Sequence, residues 1–118
     1  AARAGHWGLR GFGNWVIVRR VDGRVVGHAG LWEPDDWPGT EVSWTLSRDA
    51  WGQGYATEAG RAAVEWGWAN LVVDRLISVI TPANVASIRV AERLGMHHGR
   101  DTELMGRVVT VMVLDRPA

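Results

Sequence analysis

The chain has 118 residues, a length that suits one domain with a hydrophobic core of its own. Its 13 basic and 13 acidic residues give a formal net charge of zero, which argues against a broad electrostatic surface for nucleic acid or for an anionic membrane. The absence of Cys excludes disulfides, thiolate metal sites and a cysteine nucleophile, and there is no apolar run of membrane-spanning length and no signal-peptide pattern. We therefore expect a soluble, cytoplasmic protein with a single domain over residues 1–118.

The first third of the chain predicts a hairpin that follows a glycine-rich lead-in. Residues 1–13 contain four glycines, which favour an irregular segment. Residues 15–18 are rich in β-forming side chains, residues 21–24 contain an Asp-Gly turn, and residues 25–32 return as a second strand. Residues 34–39 then form a loop, because prolines, an acidic pair and a glycine fall together there.

The next strand, residues 41–47, alternates strictly between polar and apolar side chains, so each kind is expected on its own face. A solvated outer face is one explanation. The other is that the strand lines a crevice, because its end leads directly into a glycine-rich loop. The polar positions are Glu41, Ser43, Thr45 and Ser47, and the apolar positions are Val42, Trp44 and Leu46.

That loop opens a long helical pattern over residues 56–70. Gly52 and Gly54 leave the backbone free to curl, so that several N–H groups point at one place ahead of the helix N-terminus. This arrangement is typical of an anion cradle, although a tight strand-to-helix turn in a chain with 15 glycines would have the same pattern. The side of the helix predicted to pack is made mostly of Ala and Gly, which allows a close approach to a sheet.

The remaining pattern completes an α/β domain. Residues 75–80 predict a buried strand parallel to the one before the loop, and residues 85–94 predict a helix that Asn84 caps and Gly95 ends. Residues 96–100 are expected to be extended, residues 101–107 to turn, and residues 108–114 to form a last buried strand. The fold class is a mixed sheet with an antiparallel hairpin and a parallel crossover.

Two motifs in register resemble the GNAT acetyltransferases, and within them the ribosomal-protein alanine N-acetyltransferase branch. Residues 51–59, Trp-Gly-Gln-Gly-Tyr-Ala-Thr-Glu-Ala, are similar to the pyrophosphate loop of that branch, and Asn84 to Ile88 with Leu94-Gly95-Met96 are similar to its second motif. The resemblance covers roughly residues 11–114. It implies a GNAT-like, mostly antiparallel mixed sheet flanked by helices, with a central parallel strand pair. Family members carry about one strand and two helices ahead of this point, so the resemblance suggests a domain truncated at its N-terminus.

The resemblance also implies acetyl-CoA as co-substrate, bound where the two parallel strands splay apart. Backbone N–H groups from Gln53 to Ala56 would then hold the pyrophosphate, and β-strand backbone before the loop would hold the pantetheine arm. Asn84 would lie beside that arm, although helix capping explains the same residue. No metal is implied. The full set of predicted binding residues is Trp44, Thr45, Leu46, Trp51, Gly52, Gln53, Gly54, Tyr55, Ala56, Thr57 and Asn84.

For the chemistry, Glu41 matches the family position of a general base that acts directly or through water. Tyr55 is the single Tyr of the chain and lies in the loop, so the tyrosine that many members use to protonate the leaving thiolate is missing. In the ribosomal-protein alanine N-acetyltransferase branch, a serine at the position of Ser87 looks like the substitute for that tyrosine. Completion of the first helical turn is the competing explanation for Ser87.

The leading hypothesis is therefore an N-acetyltransferase that transfers acetyl from acetyl-CoA to a primary amine by direct attack, without an acyl-enzyme. The amine would belong to a protein N-terminus or to a small molecule. The alternative is a non-catalytic acyl-CoA-binding or regulatory module. A dinucleotide-binding enzyme fits less well, because the loop lacks the third small position and follows a hairpin. With 8 Trp in a short chain, pairing into a homodimer is one way to cover apolar surface.

Overall fold

A mixed seven-stranded sheet organises the part of the chain that the structure, a computed structural model, describes, namely residues 2–7 and 13–118. The strand order is β1-β2-β3-β4-β5-β7-β6, and two α-helices accompany the sheet. A short 3-10 turn, Arg48–Ala50, follows β4. The strands are β1 Ala2–Trp7, β2 Gly13–Val18, β3 Val25–Trp32, β4 Glu41–Leu46, β5 Arg75–Ile80, β6 His97–Leu104 and β7 Arg107–Asp115, and the helices are α1 Tyr55–Asn70 and α2 Val85–Arg93.

The strand pairing confirms the predicted mixed sheet. β1 to β4 form an antiparallel series, β4 and β5 are parallel, and β7 pairs antiparallel with both β5 and β6. The parallel pair thus lies at the centre of the sheet, joined by α1 as the crossover. The predicted hairpin is also confirmed, with β2 and β3 joined through the turn at Gly23, whose φ is +70°.

Two expectations about the ends of the sheet are wrong. Residues 2–7 are a strand and not an irregular lead-in, since their backbone pairs with β2 from Ala2 opposite Ile17 to Trp7 opposite Gly13, and this pairing overrides the low strand preference of glycine; the lead-in's residues 1 and 8–12 lie outside the described residues. β6 continues to Leu104 where residues 101–107 were expected to turn. The turn is only two residues long, Met105 and Gly106, and both have positive φ. In a two-residue hairpin turn, this backbone conformation has a twist that matches the twist of the two strands it joins.

Both helices lie on one side of the sheet, which we call the helix face. α1 approaches closely because its buried positions are small. A Cβ on Gly60 would come within 2.8 Å of Leu94, and one on Gly67 within 3.3 Å of Leu31 and Leu76. The main core lies under the helices and consists of Leu31, Val42, Ala63, Val64, Leu76, Ile80, Ala91, Met96 and Met112.

The opposite face of the sheet carries a second cluster of buried side chains, Ile77, Val111 and Val113. The loop between β3 and β4 covers part of this cluster. Trp37 packs against it, and a Cβ on Gly39 would lie 3.4 Å from the side chain of Ile77. Successive residues of a strand point to opposite faces, so β4 and β5 each contribute side chains to both.

Candidate functional site

β4 and β5 stop pairing almost as soon as they meet. Their parallel register has one pair, Glu41 opposite Ile77, whereas β5 and β7 are paired along six positions. Beyond that pair two side chains take over the hydrogen bonding. The Ser78 hydroxyl donates to the Val42 carbonyl at 2.7 Å, and the Val79 N–H donates to Oε2 of Glu41 at 2.7 Å. We call the gap between the two strands beyond this point the fork.

The glycine loop lies at the end of β4 and leads into α1. Gly52 and Gly54 have φ of +77° and +81°, a conformation that side chains disfavour, so the predicted curl of the backbone is present. Gly54 is the N-cap of α1, and Glu58 N–H donates to its carbonyl at 3.0 Å. The amides of the residues before Glu58 in the first turn have no acceptor within the helix, so they can receive an anion.

Three side-chain contacts fix the loop to the end of β4 and to the 3-10 turn that follows β4. The Trp51 indole N–H donates to the Leu46 carbonyl at 3.1 Å, and the Arg48 guanidinium lies 5.4 Å from the centre of the Trp51 ring. The Gln53 amide donates to the Asp49 carbonyl at 3.3 Å. Trp51 and Gln53 therefore position the loop through their side chains.

A groove of about 740 Å³ extends from the loop along α1 and α2. Two arginines in it, Arg61 and Arg93, did not stand out in the sequence because both fall on the polar sides of their helices. The Arg61 guanidinium donates to the Arg93 carbonyl at 3.4 Å, which ties the two helices together. The groove is lined by Gly52, Gly54, Ala56, Thr57, Glu58, Arg61, Ala62, Glu65, Val90 and Arg93, so it includes four of the predicted binding residues.

The predicted residues on β4 and α2 meet on the helix face. The Trp44 indole N–H donates to the Ser87 hydroxyl oxygen at 3.3 Å. Asn84 accepts from the Ser87 N–H at 3.1 Å, so its capping role is confirmed. The Ser87 hydroxyl accepts from Trp44, and its own proton is left to donate. Thr45 is exposed and, by strand alternation, its side chain belongs to the other face. On the helix face Thr45 can therefore contribute its backbone groups but not its side chain.

Glu41 is the most heavily bonded group of the site. Its side chain is buried, with 5% of the residue exposed, and its two oxygens accept three N–H groups. Trp32 and Trp37 donate to Oε1 at 2.8 and 3.0 Å, and Val79 donates to Oε2 at 2.7 Å. Burial raises the pKa of Glu41 above its ordinary value, and the three donors oppose that rise.

A scan of family models matches residues 1–97 to the acetyltransferase (GNAT) domain. The chain belongs to the GNAT acetyltransferase family. It is 30% identical over 99 residues to the uncharacterized protein YkkB of Bacillus subtilis (strain 168), covering 82% of this chain and 58% of YkkB. The chain spans about half the length of the curated relatives it matches.

Solved structures of GNAT proteins share the fold. The acetyltransferase from Agrobacterium tumefaciens str. C58 is 28% identical, with a TM-score of 0.79 over 90% of this chain and 62% of that one. The aminoglycoside acetyltransferase AAC(6')-Ib in complex with coenzyme A and kanamycin is 21% identical, with a TM-score of 0.76 over 89% and 67% of the two chains. The ribosomal-protein-S5-alanine acetyltransferase from Vibrio fischeri is 15% identical, with a TM-score of 0.76 over 88% and 61%. The last two likenesses support the fold alone.

Trp32 and Trp37 are two further site residues that the sequence did not reveal in this GNAT chain. Their rings lie 5.4 Å apart at a tilt of 52°, and 48% of Trp32 is exposed. Trp32 ends β3 and is the cross-strand partner of Glu41, and Trp37 lies in the loop between β3 and β4. Because a buried carboxylate needs donors and an indole N–H needs an acceptor, that pairing is the signal that would have found them.

The two predicted catalytic side chains lie on opposite faces of the sheet. Ser87 contacts Trp44 on the helix face, whereas Glu41 contacts Trp37 on the other. The fork lies between β4 and β5 within the sheet, so a group placed in the fork would be accessible from both faces of the sheet. Among the described residues no cluster of three or more His, Asp or Glu side chains is arranged to hold a metal ion, and none of the helices described has the length and apolarity needed to span a bilayer.

Proposed function

We propose that this GNAT chain carries the acetyl-CoA site of an N-acetyltransferase that acts on a primary amine. The observation that supports it best is the fork with the glycine loop at its end. An anion site of helix amides therefore lies beside a gap between parallel strands, the arrangement that a diphosphate with a long thioester arm needs. AAC(6')-Ib, which shares this fold, was crystallised with coenzyme A.

In this proposal the N–H groups from Gln53 to Ala56 hold the pyrophosphate. The pantetheine arm runs along the fork edge of β4, where Trp44, Thr45 and Leu46 have no β5 residue opposite them in the described register. Asn84 lies beside the arm on the helix face. Bound acetyl-CoA supplies the activated acetyl group, and the chain positions it.

Glu41 is the proposed general base. An ionised carboxylate has about four acceptor sites, and three are used by N–H donors, which leaves one for an amine proton or a bridging water. The raised pKa of Glu41 also makes it a better proton acceptor than an exposed glutamate. An α-amino group has a pKa of about 8, so a modest base suffices to remove its proton.

Ser87 is the proposed acid on the other face. The amine nitrogen bonds to the acetyl carbon, the carbon–sulfur bond breaks, and the electron pair goes to sulfur. The Ser87 hydroxyl donates its proton to that sulfur and is reprotonated by water, while Glu41 takes the proton lost by the amine. The chain has no Cys, so a cysteine acyl-enzyme plays no part.

The reaction is tested by release of CoA thiol from acetyl-CoA with a panel of N-terminal peptides, polyamines and aminoglycosides. Amine-dependent release is expected with at least one class, which would also identify the acceptor. Tight CoA binding without release on any amine would refute the enzyme and leave a non-catalytic acyl-CoA-binding module. Binding of NAD and not CoA in a thermal-shift assay would refute both.

Two glycines provide a matched pair of variants for the anion site. Gly54 and Gly106 have φ of +81° and +75°, and each has open space where a Cβ would stand. Alanine at either is expected to destabilise the fold by about 1 kcal/mol, since both require a left-handed backbone. Only Gly54→Ala should weaken CoA binding, because it alone reorients the loop amides. Equal CoA affinity of the two variants would place the pyrophosphate elsewhere.

A further inference from the structure

We propose that the side chains of Ser78 and Glu41 hold β4 and β5 apart and so set the width of the fork. Both act as positioning residues in this role, because they act through the strand backbone. The inference rests on the proposed function for its consequence, the binding of the pantetheine arm, while its structural content concerns two hydrogen bonds within the chain.

The backbone pattern shows which hydrogen bond is missing. The Ile77 N–H donates to the Thr40 carbonyl at 3.0 Å, as in a regular parallel ladder. Two residues further along each strand stand Val79 and Val42. Continuation of the ladder would therefore join the Val79 N–H to the Val42 carbonyl.

Each of those two backbone groups has a side-chain partner instead. The Val42 carbonyl accepts from the Ser78 hydroxyl at 2.7 Å, and the Val79 N–H donates to the Glu41 carboxylate at 2.7 Å. Two short bonds to side chains thus replace one bond between strands. Neither backbone group is left unsatisfied, which would cost about 1–3 kcal/mol for each in a buried position.

The two side chains enter the gap from opposite faces. Ser78 alternates with Leu76 and Ile80, which belong to the core under the helices, and its residue is 1% exposed. Glu41 comes from the other face, where Trp32 and Trp37 fix its second oxygen. Because both oxygens of the carboxylate are hydrogen-bonded, Glu41 opposes closure of the strands.

Removal of the Ser78 hydroxyl should therefore release the Val42 carbonyl, which then competes with Glu41 for the Val79 N–H. When the Val42 carbonyl accepts the Val79 N–H in place of Glu41, β4 and β5 pair one step further and the fork narrows at its base. The pantetheine arm would lose room at the point where it enters between the strands.

The test uses isotope-labelled full chain and the scalar coupling that crosses a hydrogen bond. In the unmodified chain, the Val79 amide nitrogen should couple to the carboxyl carbon of Glu41. In Ser78→Ala, a coupling from Val79 to the Val42 carbonyl carbon should appear, and the Kd for CoA should rise about fivefold or more, the effect of one hydrogen bond. A coupling from Val79 to Val42 in the unmodified chain would overturn the proposal without any variant.

Thr110→Val is the matched control. Thr110 is buried, with 5% exposed; it lies on β7 opposite Ile80, on the side of β5 away from β4, and its hydroxyl donates to Asp101 of β6 at 2.8 Å. It should lose stability as Ser78→Ala does and keep its Kd for CoA. If a folded Ser78→Ala keeps both the Val79–Glu41 coupling and the CoA affinity, the proposal is wrong. If the unmodified chain binds no CoA, the proposed function fails, and the couplings alone still decide the role of Ser78.

Discussion

The substitution Glu41→Gln tests how the buried carboxylate is held. Glutamine keeps the shape of the side chain and offers one carbonyl oxygen in place of two acceptor oxygens. If that oxygen accepts the indole N–H groups of Trp32 and Trp37, the amide NH2 faces the Val79 N–H. Both of these groups are donors, so the Val79 N–H has no acceptor. A buried donor without an acceptor costs about 1–3 kcal/mol. For a chain of this size, about 4 °C of melting temperature is lost per kcal/mol, so the expected decrease is about 4–12 °C.

The pH dependence of that loss follows from the raised pKa of Glu41. Burial, the largest cause, lifts the pKa above 4.5, so the folded state favours the protonated acid. The contribution to stability is complete below 4.5 and is lost as pH rises through the pKa of the folded state. Glutamine has no such dependence. The unmodified chain should therefore exceed Glu41→Gln in stability most at acidic pH, and the difference should shrink toward neutrality.

Urea unfolding of both proteins over that pH range measures the difference directly. The protonated acid still accepts the Val79 N–H through its hydroxyl oxygen, which an amide NH2 cannot do, so the gap at low pH reports the unsatisfied donor alone. A gap that widens toward neutral pH would show that the fold prefers the charged carboxylate. That result would refute the assignment of desolvation as the dominant effect.

Three further predictions concern single side chains. Trp37→Phe removes a donor that lowers the pKa of Glu41, so the acid limb of the kcat/KM profile should move to higher pH; an unmoved limb would remove Glu41 from the base role. Ser87→Ala should lower kcat about 10²-fold with little change in the KM for acetyl-CoA, whereas a purely structural Ser87 would change stability alone. The pKa of Asp22 is lowered from 3.8 to about 2, first by the hydrogen bond from Arg19 and next by that from the Arg24 N–H, so in Arg19→Ala a carboxyl NMR titration should give a pKa closer to 3.8; a value still near 2 would refute Arg19 as the main cause.

The element pattern was largely predictable because local periodicity determines it. Alternation predicts which β4 residues share a face, and the small residues of α1 predict its packing side. The strand at residues 2–7 was not predictable, because Ala2, Ala4 and Gly5 have low strand preference and the strand depends on pairing with β2. A turn was expected within residues 101–107, but its restriction to Met105 and Gly106 was not, since methionine gives no signal for a positive φ.

The sequence indicated which positions belong to the candidate site, but it did not indicate which side chains contact one another there. The polar face of β4 was expected either to face solvent or to line a crevice, and the structure buries Glu41 on it, because Trp32 on the neighbouring strand and Trp37 in the loop cover it. Alternation specifies the face of a residue, but its burial depends on what packs there from elsewhere in the chain. Ser78 is hidden in an apolar strand for the same reason, because its partner is a carbonyl 36 residues away in sequence.

The two proposed roles of Glu41 place different demands on its oxygens. As a base it needs a free acceptor site, and as a support of the fork it needs its bonds to Val79 and to the indoles to persist. Loss of turnover in Glu41→Gln would therefore combine both effects. Ser78→Ala should move the Val79 N–H to the Val42 carbonyl and leave both indole donors to the carboxylate in place, so it should act chiefly on CoA affinity. Trp37→Phe changes the carboxylate and leaves the Val79 bond, so it should act on the pH profile. If the two variants produce these separate signatures, the chemistry and the width of the fork are distinct properties that share one side chain.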